Sequence, residues 1–178
     1  SVTYAAAFAS VRAIAAALLA RGLSPERPIA ILSGNDIEHA LLGLAAMHVG
    51  VPYAPISVPY SLVSRDFKKL KAIIEILTPG LVFAADGTAF APAIAATVPR
   101  DVEVAVTANP AGGRPVTPFA KLLGTAPTAA VEEAHAKVGY VSQPFELYQT
   151  DAHYRAWEES ASIGNGHGAW SWWVNVNH

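Results

Sequence analysis

Four groups of residues carry side chains and spacings that chemistry could use. Ser33-Gly34-Asn35 follows a short apolar run and opens a helical pattern, the setting in which backbone N–H groups can bind a phosphate. It holds one glycine and no lysine, so we read it as ordinary helix capping. Gly164-Asn165-Gly166-His167-Gly168 is glycine-rich, but we expect no strand before it and no helix after it, the context a dinucleotide loop requires. A flexible loop is the expectation. His153, His167 and His178, with Asp151, Glu158 and Glu159, offer metal-ligating atoms at a spacing that matches no ligand motif. His48 falls on the apolar face of a helix, either as a hydrogen-bonded core histidine or as a group facing a ligand. No Gly-x-Ser-x-Gly elbow occurs, and with no cysteine there is no thiolate catalysis, disulfide or Cys-based metal site.

The totals narrow the partners. A formal charge of −2 and scattered basic residues give no field for nucleic acid, and Lys68, Lys69 and Lys71 read as the solvated side of a helix. The hydrophobic fraction of 52% against 15% charged residues supplies a core for one domain in 178 residues. The stretch 40–64, without Asp, Glu, Lys or Arg, contains Pro52, Pro55 and Pro59, which excludes a spanning helix there. The alanine-rich start is interrupted by Arg12 and has no basic segment before it, so it makes a poor signal peptide. A soluble, cytoplasmic protein is expected.

The elements that must position these residues follow from periodicity. Thr3 caps a helix whose stripe is Tyr4, Phe8, Val11, Ala15 and Leu18, ended by Gly22. A turn at residues 24–28 leads to the strand 29–32. Asn35 is the expected cap of a second helix, with Ile37, Leu41, Leu44 and His48 on one face and Gly50 at its end. Strand 51–56, a helix 64–77 with Phe67, Leu70, Ile74 and Leu77 inward, and the buried strand 81–84 come next. Lys71 and Glu75 form an i,i+4 pair. A weaker helix over 90–97, strand 102–106, a loop at 109–115, a helical turn at 119–123 and a linker at 124–127 complete the pattern. Alternating strands and helices predict an α/β fold with a mainly parallel sheet. After Gly139 the composition breaks. All four tryptophans and half of the sixteen aromatic residues lie beyond it, and lysine disappears. The division is therefore an α/β unit over 1–138 and an aromatic-rich segment over 139–178, with a possible strand at 172–176.

Several landmarks, in order and spacing, resemble the N-terminal part of the adenylate-forming acyl- and aryl-CoA synthetases. Val2-Thr3-Tyr4 is similar to that family's "(L/F)TY" helix start, and Arg27-Pro28-Ile29-Ala30-Ile31-Leu32 to its "D-R-V-A-I-L" strand. Residues 35–38 resemble its "N-x-x-E" turn, residues 45–55 its "A-x-x-x-G-x-x-x-x-P" step, and residues 78–83 its "P-x-x-V-F" strand. Residues 47–55 and Tyr60-Ser61-Leu62 lean toward the feruloyl-CoA synthase branch. The resemblance covers about residues 1–138. It implies ATP-dependent activation of a carboxylic acid, with Mg²⁺, as an acyl-adenylate, followed by transfer to CoA.

The family's catalytic parts have no counterpart in these residues. No Gly-Lys pair and no Ser/Thr-Gly-rich run exist, and where a phosphate loop would begin the chain reads Gly139-Tyr140-Val141-Ser142-Gln143-Pro144. No catalytic, cofactor-binding or metal-binding residue is carried over. The expectation is a truncated fragment of an acid–CoA ligase, inactive alone, with self-association possible through an exposed sheet edge. The alternative is a non-catalytic ligand-binding or assembly module that reuses the fold. The segment 139–178 is a foreign or frameshifted sequence, a genuine cap over the sheet, or disordered.

Overall fold

The computed structural model describes residues 2–138 and the backbone of residues 162–164 and 171–173. Helix α1 (Tyr4–Ala20) forms because eleven of its residues are alanine or leucine, the strongest helix formers, and because Thr3 Oγ1 accepts the Ala6 N–H at 3.2 Å. Gly22, at a φ of 62°, closes it, with Gly22 N bonded to Leu19 O and Leu23 N to Leu18 O. Strand β1 (Ile29–Leu32) is buried throughout. Helix α2 (Ile37–Val49) ends in the same kind of clasp at Gly50. Then come β2 (Tyr53–Pro55), the single turn α3 (Pro59–Leu62), α4 (Lys68–Leu77) and β3 (Leu81–Asp86). The unit closes with α5 (Ala91–Thr97), β4 (Glu103–Ala108), β5 (Thr117–Pro118), α6 (Phe119–Leu123) and α7 (Ala129–Lys137).

The five strands form one parallel sheet in the order β2-β1-β3-β4-β5, which bears out the expected α/β fold. Alternate side chains divide between two cores. Ile29, Ile31, Leu81, Phe83 and Ala105 pack under α1, α2, α6 and α7, while Ala30, Leu32, Val82, Ala84, Val104 and Val106 pack under α4 and α5. Burial on both faces explains why β1 and β3 read as unbroken apolar runs.

Some expectations move. Tyr4 is 97% exposed and Phe8 is 57% exposed, so only Val11, Ala15 and Leu18 of the predicted stripe are buried. On α2 the buried arc is Leu41, Leu42, Ala45, Ala46 and Val49, because the helix lies against both α1 and the sheet; Ile37 and Leu44 are left at the rim. The helix expected over 64–77 starts at Lys68, since Phe67 takes a left-handed conformation (φ 49°) that no helix continues through. Residues 162–164 and 171–173 form β6 (Ser162–Gly164) and β7 (Ser171–Trp173), an antiparallel pair. A strand thus does precede the glycine-rich run, contrary to expectation, but a strand follows it too. Trp172 and Trp173 are in β7, and the remainder of the expected strand 172–176 lies outside the described residues.

Candidate functional site

In a parallel sheet of this order the chain passes from β1 to β2 on one side and then crosses back over β1 to β3 on the other. The carboxyl ends of β1 and β3 therefore flank the switch point where ligands of open α/β sheets bind. Ser33 and Gly34 follow β1 there, and Asp86 and Gly87 end β3.

Beside β1, His39 Nδ1 lies 2.9 Å from Gly34 O and 2.9 Å from Ser33 Oγ, while Ser33 Oγ–H donates to Gly34 O at 3.2 Å. A carbonyl only accepts, so Nδ1 carries a proton, and in the neutral ring Nε2 holds the lone pair. The N-cap of α2 is Asp36, whose Oδ1 accepts the His39 N–H at 2.6 Å; this corrects the assignment to Asn35. Both residue types cap well, and only the backbone decides between neighbours.

Beside β3, Asp86 Oδ1 accepts the N–H groups of Thr88 and Ala89, each at 2.9 Å, and Oδ2 accepts the Asn109 amide at 2.6 Å. The Ala89 N–H and the Asn109 amide hold the Asp86 carboxyl below the usual range. Thr88 Oγ1 donates to Asn109 O at 3.1 Å. Gly87 permits this approach, because a Cβ there would lie 2.6 Å from Asn109 O. An ionised carboxylate with its oxygens already committed is a clamp on the loop after β4, unsuited to proton transfer.

These residues do not fit a nucleoside triphosphate with its metal. Asp36 caps α2 and Glu38 stands in its first turn, so carboxylates hold the end where a phosphate would need positive potential, and a Cβ at Gly34 would meet no atom within 4 Å, so no close approach requires that glycine. Among the described residues no group of three His, Cys, Asp or Glu could hold a metal ion.

His48 is half-buried between the edge of Phe8, at 6.0 Å between centroids, and the face of His135, at 4.1 Å and 18°. Its Nε2 is buried with no hydrogen-bond partner among the described residues, unlike the hydrogen-bonded core histidine of the sequence reading. His135 Nδ1 lies 3.1 Å from His48 O. Lys68, Lys69 and Lys71 lie on a solvated face: Lys68 pairs with Asp66 and Lys71 with Glu75, and Lys69 sits over the Tyr60 ring. His153, His167, His178, Asp151, Glu158 and Glu159 lie outside the described residues, as do Asn165, Gly166, His167 and Gly168. The sequence reading missed His39, Asp86, Asn109 and His135. Asp86-Gly87-Thr88 directly after an apolar run was a legible turn signal.

The fold and its crevice place the molecule in the class of open parallel α/β proteins. The chain belongs to the AMP-binding enzyme family, whose profile matches residues 1–138. Apo MatB from Rhodopseudomonas palustris shares the fold at 23% identity and a TM-score of 0.55, over 71% of this chain and 24% of that one. The luciferase-like enzyme of the nonluminescent Zophobas morio mealworm does so at 14% identity and 0.54, over 68% and 27%. The amide bond synthetase McbA from Marinactinospora thermotolerans follows at 22% identity and 0.52, over 67% and 24%. The chain thus spans about a quarter of the length of these structures. No curated protein sequence matches it.

Proposed function

We propose that residues 1–138 are the N-terminal α/β unit of an ATP-dependent acid–CoA ligase acting in the cytoplasm on an aromatic acid of the feruloyl type. Residues 139–178 form a separate, aromatic-rich segment. The observation that carries the reading is the family match over residues 1–138, which ends where the composition breaks. The order and spacing of the landmarks around residues 47–62 support the feruloyl branch over a fatty-acid one. The unit's own part is structural. Its two cores fix the ends of β1 and β3, and the described residues carry no group positioned to move a phosphoryl or acyl unit. On this reading the 178-residue chain does not form an acyl-adenylate by itself, and ATP, Mg²⁺ and CoA act elsewhere in a longer protein. No helix among the described residues is long and apolar enough to cross a membrane.

Two experiments test this. ATP–pyrophosphate exchange by the chain, with a panel of aromatic and fatty acids, is expected to stay at background; measurable exchange sinks the claim of inactivity. Sequencing the source gene beyond the codon for Gly139, translated in all three frames, is expected to reveal a Ser/Thr/Gly-rich loop with a lysine. Its absence would move the protein to the ligand-binding class. If the loop is there, the restored frame should exchange fastest with ferulate, and a preference for fatty acids would overturn the substrate assignment.

A further inference from the structure

A pocket of about 240 Å³ lies between α5, β4 and the loop 109–116, on the face of the sheet that carries α4 and α5. Its walls are apolar, from Ala91, Ile94, Val98, Val104, Val106 and Val116. Apolar cavities of about 150 Å³ hold a benzene, so the space is enough for a ring or a short alkyl chain. Arg100 and Arg114 also line it. Arg114 donates to the carbonyls of Val98, Pro99 and Val102, and Arg100 Nη1 donates to Gly113 O at 2.6 Å. The two thus brace the segments 98–102 and 113–114 against each other. Neither takes part in an ion pair among the described residues. Burial, and then the charge of Arg100, hold the Arg114 guanidinium below the ordinary arginine range, with Asp101 opposing. Two cations, unpaired and mutually repelling beside an apolar cavity, make a site short of an anion.

We propose that this pocket binds a small organic anion, its ring or short chain against Ile94, Val98 and Val104 and its carboxylate on the free N–H groups of Arg100. Arg114 is committed to three carbonyls and supplies field and loop geometry, whereas Arg100 is exposed and has donors to spare. The site adjoins the carboxyl end of β3, where Gly87 lines it, but is independent of the ligase reading, since it needs neither ATP nor CoA.

The test is titration of the 178-residue chain with benzoate and hexanoate, and with benzamide and hexanol as uncharged counterparts. Methyl NMR shifts of Ile94, Val98 and Val104 are the readout. The carboxylates should move these methyls saturably and bind about tenfold more tightly than the uncharged probes, the scale of one charge-assisted hydrogen bond. Arg100→Gln should remove that margin and leave benzamide binding alone, and Arg100→Lys should restore part of it. Ala95→Trp, on the exposed side of α5 and lining the pocket, should abolish binding of every probe while the remaining spectrum stays in place. Three results overturn the proposal: no saturable shift with any probe, equal affinity for acid and amide, or inorganic phosphate binding as tightly as hexanoate.

Discussion

At the scale of single residues, His48 has the most to say about pH. Burial, then the charges of His135 and Arg12, push its pKa below the ordinary 6.5, and Glu132 opposes them. The native state therefore holds it neutral, while the unfolded chain takes up a proton more readily. The stability it contributes is complete above about pH 6.5 and is lost as pH falls through the lowered native value. The urea midpoint should drop between about pH 7 and about pH 5, and His48→Phe, which keeps a ring between Phe8 and His135, should flatten that slope. An unchanged slope would assign the effect to another group. Ser61 offers a second test. It is 4% exposed and its hydroxyl has no partner among the described residues. Ser61→Ala should leave stability unchanged or raise it by up to about 1 kcal/mol, and a clear loss in thermal denaturation would mean the hydroxyl is satisfied after all. Neither residue's role was legible in advance. His48 could be placed on a helix face, but its stacking partner His135 sits 87 positions away, in a helix the sequence did not announce.

At the scale of elements, legibility followed apolar periodicity. The strands β1 and β3 and the helices α1, α2 and α6 carry stripes or runs that their burial demands, and they fall within a residue or two of expectation. Helix α7 buries only Val131, and α3 is a single turn with no side-chain cap, so neither leaves a pattern to read. Strand β5 is two residues long and contains Pro118, below the reach of any alternation. What ties such elements together is again non-local. Arg21, at the end of α1, donates to both oxygens of Glu103 on β4, at 2.9 and 3.1 Å, and Thr117 on β5 donates to Glu103 Oε1 at 2.7 Å. Burial pushes the Glu103 carboxyl up, but these donors and the Arg21 charge outweigh it and hold it below 4.5. Its contribution is present above about pH 4.5 and lost as pH falls through the lowered native value. Because both side chains are still a quarter to a third exposed, Glu103→Gln should cost only about 1–2 kcal/mol in urea denaturation at neutral pH. The difference should close in acid, and a full-sized loss persisting there would point to packing instead of charge.

At the scale of the whole molecule, the strand order decides which surfaces remain open, and nothing in the sequence announces strand order. The two edges are β2, with three residues including Pro55, and β5, with two including Pro118. Short edges bearing proline are poor templates for a further strand. The expected route to self-association, through an exposed edge, thus has little backbone to offer. The helical layer has more: Tyr4 at 97% and Phe8 at 57% exposed lie one turn apart on α1, and Leu44 at 47% lies one turn from His48, which Phe8 contacts. Apolar side chains left open on two neighbouring helices favour association as concentration rises. Sedimentation velocity across a concentration series should therefore show reversible growth for the chain, and Tyr4→Glu with Leu44→Glu should suppress it without moving the denaturation midpoint. Both substitutions sit on exposed positions and leave every strand untouched, so the comparison isolates the helical face. If the double variant associates as the parent does, the contact lies outside this helical face. A parent that stays monomeric at every concentration would show that neither surface is sticky enough to matter.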